Sequence, residues 1–413
     1  MSGIYAVFSF EEVEAFPLIY YGLYALQHRG QGAVGIGTVA DEKAYLHLER
    51  GLISEHFSKE MVSTMPGRMG IGYVHYEFAG QKFPNVPYER DGALIAIDGC
   101  IYNEDFSMKE CLRVLGGEFS EISKYLSSLT GKFVMCYMNS ERFIAYKNVD
   151  GIKPLALGRK AETLIVSSES SGLDAIGGTF IKELQPGELF IQSRDNAFSF
   201  YLNNKIQPTE NLDAFEFIYT ARPDSVLDGI SVYEARYRMG ENLWDESDPK
   251  DAVVIGAPSS GIISSLGYAK KSGLPYQQGF VRNSYVGRSF IQPCSEERAR
   301  TLQIKLMPIK QNVANRKIIL VDDSIVRGST IKKTVQSLRD AGANEVHVRV
   351  ASPQIVSDES VTVDIPEKNS LIANQYSLED LPKAIDCDSI RYLSIEGFHR
   401  AIGRNKLYEP YFG

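Results

Sequence analysis

The chain has 413 residues, 44% of them apolar and 23% charged, which suffices for two domains that each bury a core. Lysine and arginine number 44 against 52 acids, and the net charge of −8 argues against general affinity for nucleic acid or an anionic membrane. A small anion is not excluded, because a local ring of amides with a few basic side chains can hold phosphate on an acidic protein.

Cys100, Cys111, Cys136, Cys294 and Cys387 are scattered and show no C-x-x-C spacing, so neither a disulfide framework nor a sulfur-ligated metal is expected. No basic segment followed by an apolar run opens the sequence, and no apolar stretch is long enough to cross a bilayer. The expectation is a soluble protein of the reducing cytoplasm.

Taken in chain order, Ile4–Phe8 reads as a strand and Glu11–Gln27 as a helix with its apolar stripe at Phe16, Ile19, Leu23 and Leu26. Further strands are expected at 70–75, 93–97, 132–138, 143–148 and 163–168, with one long helix within 109–129. Sheets and helices without regular alternation suggest an α+β unit over 1–205. Residues 203–211 are polar, contain Pro208, and read as a connector. From 212 the texture becomes strand–loop–helix: a strand at 252–255, a loop at 256–261, a helix to Ser272, a strand at 317–321, a helix at 331–341 and a strand at 345–350. That alternation predicts a parallel doubly wound sheet with ligands at the C-terminal ends of its strands.

The most informative run is Ile318-Ile-Leu-Val-Asp-Asp-Ser-Ile-Val-Arg-Gly-Ser-Thr330. Its apolar opening is the pattern of a central parallel strand. Asp322 and Asp323 stand at the strand's end; Gly328 permits a close turn; Ser329 and Thr330 offer hydroxyls where a helix begins. Free amides and the positive end of a helix dipole make such a turn an anion site. Two acids beside it can accept from sugar hydroxyls or hold a divalent cation. No Gly-Lys-Ser/Thr follows, so the turn is not a Walker motif.

The whole run resembles the phosphoribosyl-diphosphate (PRPP) signature of type I phosphoribosyltransferases. With Leu26-Gln-His-Arg-Gly-Gln31, Ser168-Glu-Ser-Ser-Gly-Leu-Asp174, Pro186-Gly-Glu188, Tyr219-Thr-Ala-Arg-Pro-Asp-Ser225, Ser231-Val-Tyr-Glu-Ala-Arg236, Tyr285-Val-Gly-Arg-Ser-Phe-Ile291 and Leu393-Ser-Ile-Glu-Gly397, the chain is similar to the amidophosphoribosyltransferase family nearly from end to end. The resemblance implies an N-terminal-nucleophile (Ntn) hydrolase-like αββα sandwich over 1–205 and an α/β type I phosphoribosyltransferase domain over 212–413. It implies that Asp322 and Asp323 serve ribose and Mg²⁺, and that Ser324, Ile325, Val326, Arg327, Gly328, Ser329 and Thr330 form the 5′-phosphate loop. Ser259 and Ser260 would belong to the pyrophosphate loop, with Ser260 near the metal. Arg288 would lie on the loop 282–291 that closes over substrate and excludes water.

The glutaminase half departs from the family pattern. Ser2 stands where the family has its cysteine nucleophile, His75 where it has the arginine that grips the glutamine carboxylate, and Asp98, before Gly99, where it has the oxyanion-hole asparagine. A hydroxyl is a weaker nucleophile than a thiolate, imidazole lacks the arginine fork, and an ionised carboxylate cannot donate to an oxyanion. Cys100 lacks an α-amine to activate it and is expected to be a small buried thiol. His28 is expected to belong to loop architecture. In the other half, Ser259, Ser284 and Gln303 replace charged residues of the family pattern, leaving Arg288, Arg298 and Lys305. No iron–sulfur cluster is expected. The reading is a PRPP- and Mg²⁺-dependent transferase that makes phosphoribosylamine and pyrophosphate from PRPP and ammonia, with glutamine hydrolysis lost. The alternative is a non-catalytic paralogue that binds PRPP or a purine nucleotide. A homo-oligomer, or a hetero-oligomer with an active paralogue, is expected from the resemblance.

Overall fold

The structure is a computed structural model that describes residues 2–76, 86–202, 211–245, 247–283, 306–359, 363 and 365–413. Its first strand, β1 (Ser2–Phe8), is buried along its whole length. Alternate side chains face opposite ways: Ile4, Ala6 and Phe8 enter a core shared with a second sheet, while Tyr5 and Val7 enter a core covered by helices.

Around it lie α1 (Ala15–Ala25), β2 (Ala33–Ala40), β3 (Lys43–Arg50), β4 (Met69–His75), β5 (Tyr88–Arg90) and β6 (Ala93–Ile101). Helices α2 (Met108–Leu115) and α3 (Phe119–Ser128) follow, then β7 (Gly131–Met138), β8 (Arg142–Lys147), β9 (Ala156–Lys160) and β10 (Thr163–Ser167). The short α4 (Ser170–Asp174), β11 (Thr179–Glu183), β12 (Glu188–Ser193) and β13 (Ala197–Tyr201) complete this part. One antiparallel sheet runs β11-β9-β10-β1-β4-β2-β3, the other β13-β12-β8-β7-β6-β5. Helices α1 and α4 supply buried side chains to the outer face of the first, α2 and α3 to that of the second. The layers are helix, sheet, sheet, helix.

Two sequence expectations shift here. The helix expected over 11–27 is confined to Ala15–Ala25, with Gln27–Arg29 in a tighter turn. The single helix expected within 109–129 is two, because Gly116 and Gly117 interrupt it.

Beyond residue 211 come the small strands β14 (Val226–Leu227) and β15 (Ile230–Ser231), α5 (Val232–Leu243), β16 (Ala252–Gly256), α6 (Ile262–Ser272), β17 (Phe280–Arg282) and β18 (Leu306–Pro308). They lead to β19 (Lys317–Asp322), α7 (Ser329–Asp340), β20 (Glu345–Val350), β21 (Ser389–Tyr392) and α8 (Ile395–Ile402). The sheet β16-β19-β20-β21 is parallel throughout. Ile319 and Val321 face the core shared with α5 and α8, while Ile318 and Leu320 face the one under α7. Both faces of β19 are therefore covered, which its unbroken apolar run requires.

The two parts meet through charges. Arg29, wholly buried, donates from Nε to the Ser2 carbonyl (2.9 Å), from Nη1 to Glu169 (2.6 Å) and from Nη2 to Glu216 (2.7 Å). Glu169 also accepts from Ser225 (2.7 Å) and from the Arg222 amide (2.9 Å), and lies 2.6 Å from His28 Nε2. Burial alone would raise the Glu169 carboxyl, but His28 and Arg29 hold it well below the usual range. Glu216 opens a turn of wide helix, Glu216–Thr220, that leads to Arg222-Pro223-Asp224-Ser225. His28 is thus an ion-pair member as well as a loop residue. Removing one partner of such a buried set strands the opposite charge. Glu216→Ala is expected to cost about 3–5 kcal/mol of stability, read from the midpoint of urea unfolding.

Candidate functional site

Strand β19 is pinned at its C-terminal end: the Ala257 amide donates to the Val321 carbonyl and the Ala351 amide to that of Asp322, each at 2.8 Å. Asp322 and Asp323 follow, the first partly exposed and the second buried. The Asp323 amide donates to Asp322 Oδ1 (3.0 Å), and Ser324 Oγ donates to Asp323 Oδ1 (2.9 Å). Ser260, in the loop between β16 and α6, is hydrogen-bonded to Asp323. Asp323 Oδ2 is buried without a partner among the described residues.

Burial and the neighbouring Asp323 charge push the Asp322 carboxyl well above its ordinary range. Burial also raises Asp323, opposed by Ser260, Ser324 and the charge of Arg236. Arg236 on α5 is itself buried and donates to the carbonyls of Phe217 (2.7 Å) and Ala221 (2.8 Å). Sequence reading placed it in a motif but gave it no role.

From Ser324 the chain turns over buried Ile325 to Gly328, whose φ of +77° is left-handed and whose missing Cβ leaves room for Ile372. The Ile372 amide donates to the Val326 carbonyl at 2.9 Å and fixes the turn from the other side. Arg327, Ser329 and Thr330 are exposed, and Ser329 begins α7 with its first-turn amides outside the helical ladder. Ser259 lies exposed beside Ser260, after a cis Pro258–Ser259 peptide. Hydrogen bonds therefore join four predicted residues from two separate loops, Ser260, Asp322, Asp323 and Ser324, while Ser329 and Thr330 open α7 at the end of the same turn. Arg288, Ser284, Arg298, Gln303 and Lys305 lie outside the described residues; β17 and β18, on either side of that segment, pair antiparallel.

The second constellation surrounds Ser2. Strands β1 and β4 pair Ser2 with His75, and Ser2 Oγ lies 3.5 Å from His75 Nδ1. The Tyr73 hydroxyl is hydrogen-bonded to Ser2. Asp98, on β6 of the facing sheet, is 2% exposed, and its Oδ1 accepts from Lys153 Nζ at 3.2 Å. Lys153, missed in the sequence, neutralises the charge that Asp98 brings into the pocket. Gly99 has a φ of +118° and turns its Cα against the Lys132 carbonyl. Cys100 is exposed, which corrects the expectation of a buried thiol: the strand leaves the core at Gly99.

With both constellations in place, the comparisons are consistent. The amidophosphoribosyltransferase of Methanocaldococcus jannaschii is 35% identical over an alignment covering 98% of this chain and 95% of that protein. That of Bacillus subtilis is 34% identical, covering 97% and 90%. The chain belongs to the amidophosphoribosyltransferase family. No family model matches it. Among solved structures, a glutamine PRPP amidotransferase from B. subtilis complexed with ADP and GMP superposes with a TM-score of 0.86 at 32% identity, covering 99% of this chain and 94% of the other. Another, described as the allosteric regulatory enzyme of purine biosynthesis, gives 0.87 at 33% identity, with 98% and 92% covered. The layered part is thus an Ntn-hydrolase sandwich and the parallel sheet that of a type I phosphoribosyltransferase, as expected from sequence. Among the described residues no helix is long and apolar enough to cross a membrane.

The acid pair makes a stability prediction whose sign is fixed. A carboxyl that binds its proton more tightly when folded costs nothing below the unfolded value of about 3.9 and costs progressively more as pH rises through the folded value. Asp322→Asn should therefore melt higher than the parent near neutral pH, without divalent cation or PRPP, and the difference should vanish below about pH 4.

Proposed function

We propose that this chain is a PRPP-dependent phosphoribosyltransferase that forms 5-phosphoribosylamine and pyrophosphate from PRPP and ammonia, with glutamine hydrolysis lost. The division is 1–205 for the glutaminase-like part and 212–413 for the transferase. The observation that carries the reading is the meeting of Asp322, Asp323 and Ser260 beside the free N-terminal turn of α7.

In this reading the amides at the start of α7, with the hydroxyls of Ser329 and Thr330, hold the 5′-phosphate. Asp322 and Asp323 accept hydrogen bonds from the ribose hydroxyls, so the sugar is held by its far side and C1 stays open to attack. Ser259 and Ser260 border the pyrophosphate, and Arg288 closes over it. Ammonia bonds to C1 as the C1–oxygen bond to pyrophosphate breaks, and a proton leaves the new amine. What the chain supplies is position and charge, since no side chain enters a covalent intermediate.

The residues fit Mg²⁺. Asp323 Oδ2 is a buried oxygen without a described partner, and burial pushes both carboxyls up. Among the described residues there is no cluster of three or more acids, histidines or cysteines for a metal. Mg²⁺ needs only one or two carboxylates, since it keeps waters and takes substrate oxygens as its other ligands. When bound, it would neutralise the departing pyrophosphate.

Loss of glutamine hydrolysis is inferred from the pocket's chemistry. By the family pattern Asp98, bonded to Lys153, replaces the oxyanion-hole asparagine, and His75 replaces the arginine that grips glutamine. Ammonia then comes from solution or from a partner glutaminase. A purine nucleotide effector is consistent with the B. subtilis structure, which holds ADP and GMP.

The decisive assay follows pyrophosphate release from PRPP and Mg²⁺. Ammonium should support turnover and glutamine should not, and Asp323→Asn should lower the ammonium-driven rate by about a hundredfold or more. No release with ammonium would reject the transferase. PRPP binding by calorimetry in that event would leave the chain as a non-catalytic PRPP-binding paralogue.

A further inference from the structure

Among the described residues the sandwich has four edge strands: β11 and β3 in the first sheet, β13 and β5 in the second. An unpaired edge is a template for another strand, so folded proteins blunt it with charge, brevity or a bulge. Three of these edges are blunted. β3 carries Lys43, His47, Glu49 and Arg50; β5 has three residues, two of them charged; β11 is interrupted by a bulge between Phe180 and Lys182. β13 reads Ala197-Phe-Ser-Phe-Tyr201, with no charge and no proline, and is exposed along its whole length. Its register with β12 is unbroken.

The hairpin fixes where its free backbone groups point. The Ser193 amide donates to the Asn196 carbonyl (2.8 Å) and the Leu202 amide to that of Gly187 (3.0 Å). Bonded and non-bonded positions alternate along an antiparallel pair. Phe198 and Phe200 therefore bond to β12, while Ala197, Ser199 and Tyr201 turn their amides and carbonyls outward. Phe198 and Phe200 pair with Ile191 and Leu189, which belong to the core under α2 and α3, so their rings extend that apolar face past the helices. The Phe200 ring lies 4.5 Å from that of Phe119, at the start of α3, and 5.2 Å from that of Phe198. Lys182 of β11 donates to Ser199 Oγ (3.2 Å) and is matched by Glu188, so the adjoining edge with exposed Phe180 and Ile181 runs alongside.

We infer that β13 is an interface between two copies of this chain, joined edge to edge across a two-fold axis at Ser199. A two-fold contact must be complementary to itself, and antiparallel pairing of this segment meets that condition. Ser199 falls opposite its own counterpart and Ala197 opposite Tyr201, each with outward amide and carbonyl. Phe198 falls opposite Phe200 of the other copy, and the paired rings, flanked by Phe119 on both sides, form one aromatic strip. Phe119, Phe180, Ile181, Phe198, Phe200 and Tyr201 are each 39% to 50% exposed. With about 200 Å² per large side chain, they offer about 500 Å² on each copy. Two copies together reach about 1,000 Å², the size expected of a specific contact. The inference stands apart from the transferase reading, since neither constellation of site residues touches this edge.

Sedimentation of the full chain tests the surface and its register together. The parent should sediment as an even-numbered assembly. Phe198→Lys with Phe200→Lys sets like charges opposite each other and should weaken association about a hundredfold, halving the assembly. Phe198→Lys with Phe200→Glu sets lysine opposite glutamate at both pairs and should recover association to within about tenfold of the parent. Ser199→Pro removes an amide that β12 does not use and should also separate the copies. All three changes lie on an exposed strand, and the circular dichroism of the parent should persist. A monomeric parent overturns the inference. So does an assembly that the two-lysine variant leaves intact, or a lysine–glutamate variant as dissociated as the two-lysine one.

Discussion

Two carboxylates held side by side at the end of a buried strand set the terms for the C-terminal half of this molecule. Strand β19 is apolar on both faces and clamped at its end by amides from Ala257 and Ala351, so Asp322 and Asp323 cannot swing apart into water. Burial raises both, and the neighbouring Asp323 charge raises Asp322 further; the protein leaves that cost in place. Functional sites characteristically retain an arrangement that folding alone would remove. Here the retained charge lies beside a helix N-terminus, so one end of a ligand is drawn by positive dipoles and the adjoining part by negative oxygens.

The same logic of matched charge joins the two halves. Arg29 belongs to the sandwich, yet one of its carboxylate partners, Glu216, lies beyond residue 211, and the turn that Glu216 opens carries the carbonyls of Phe217 and Ala221 that anchor Arg236. Arg236 in turn faces Asp323. Ser2, whose carbonyl receives Arg29, and Arg236, whose charge acts on Asp323, thus lie at opposite ends of one chain of buried contacts. Position of either constellation is constrained by the other, although each is built on its own sheet.

Much of this was readable from residue patterns, and the reasons differ by element. The unbroken apolar run of β19 and the alternation that follows marked a parallel sheet, because covered strands need no polar face. The whole run from Ile318 to Thr330 marked the turn through its resemblance to the PRPP signature, since two acids after a buried strand do not by themselves imply a ligand. The αββα layering came through family resemblance rather than periodicity, since antiparallel strands such as β1 are buried on both faces and lose their alternation. Helix ends were misplaced where glycine pairs or tight turns decided them, as at Gly116-Gly117. Lys153, Tyr73 and Arg236 were missed as site residues because each reaches its partner across tens of residues of chain, and sequence spacing carries no record of that. Cys100 was misplaced because a strand's exit from its core depends on the neighbouring strand, not on its own composition.

Asp98 illustrates how the interior accommodates a replaced residue. Taken alone, an acid in place of an oxyanion donor reads as damage: it adds a charge where the reaction already develops one. Paired with Lys153 in the interior, its charge is matched within the chain. One carboxylate oxygen accepts from Lys153, and the other is buried without a partner among the described residues. Damage tends to relax toward apolar filling, because a well-packed hydrophobic pair of similar volume is usually at least as stable as a buried ion pair. The buried Lys153–Asp98 pair is therefore a polar feature that the interior keeps where apolar filling would serve stability as well.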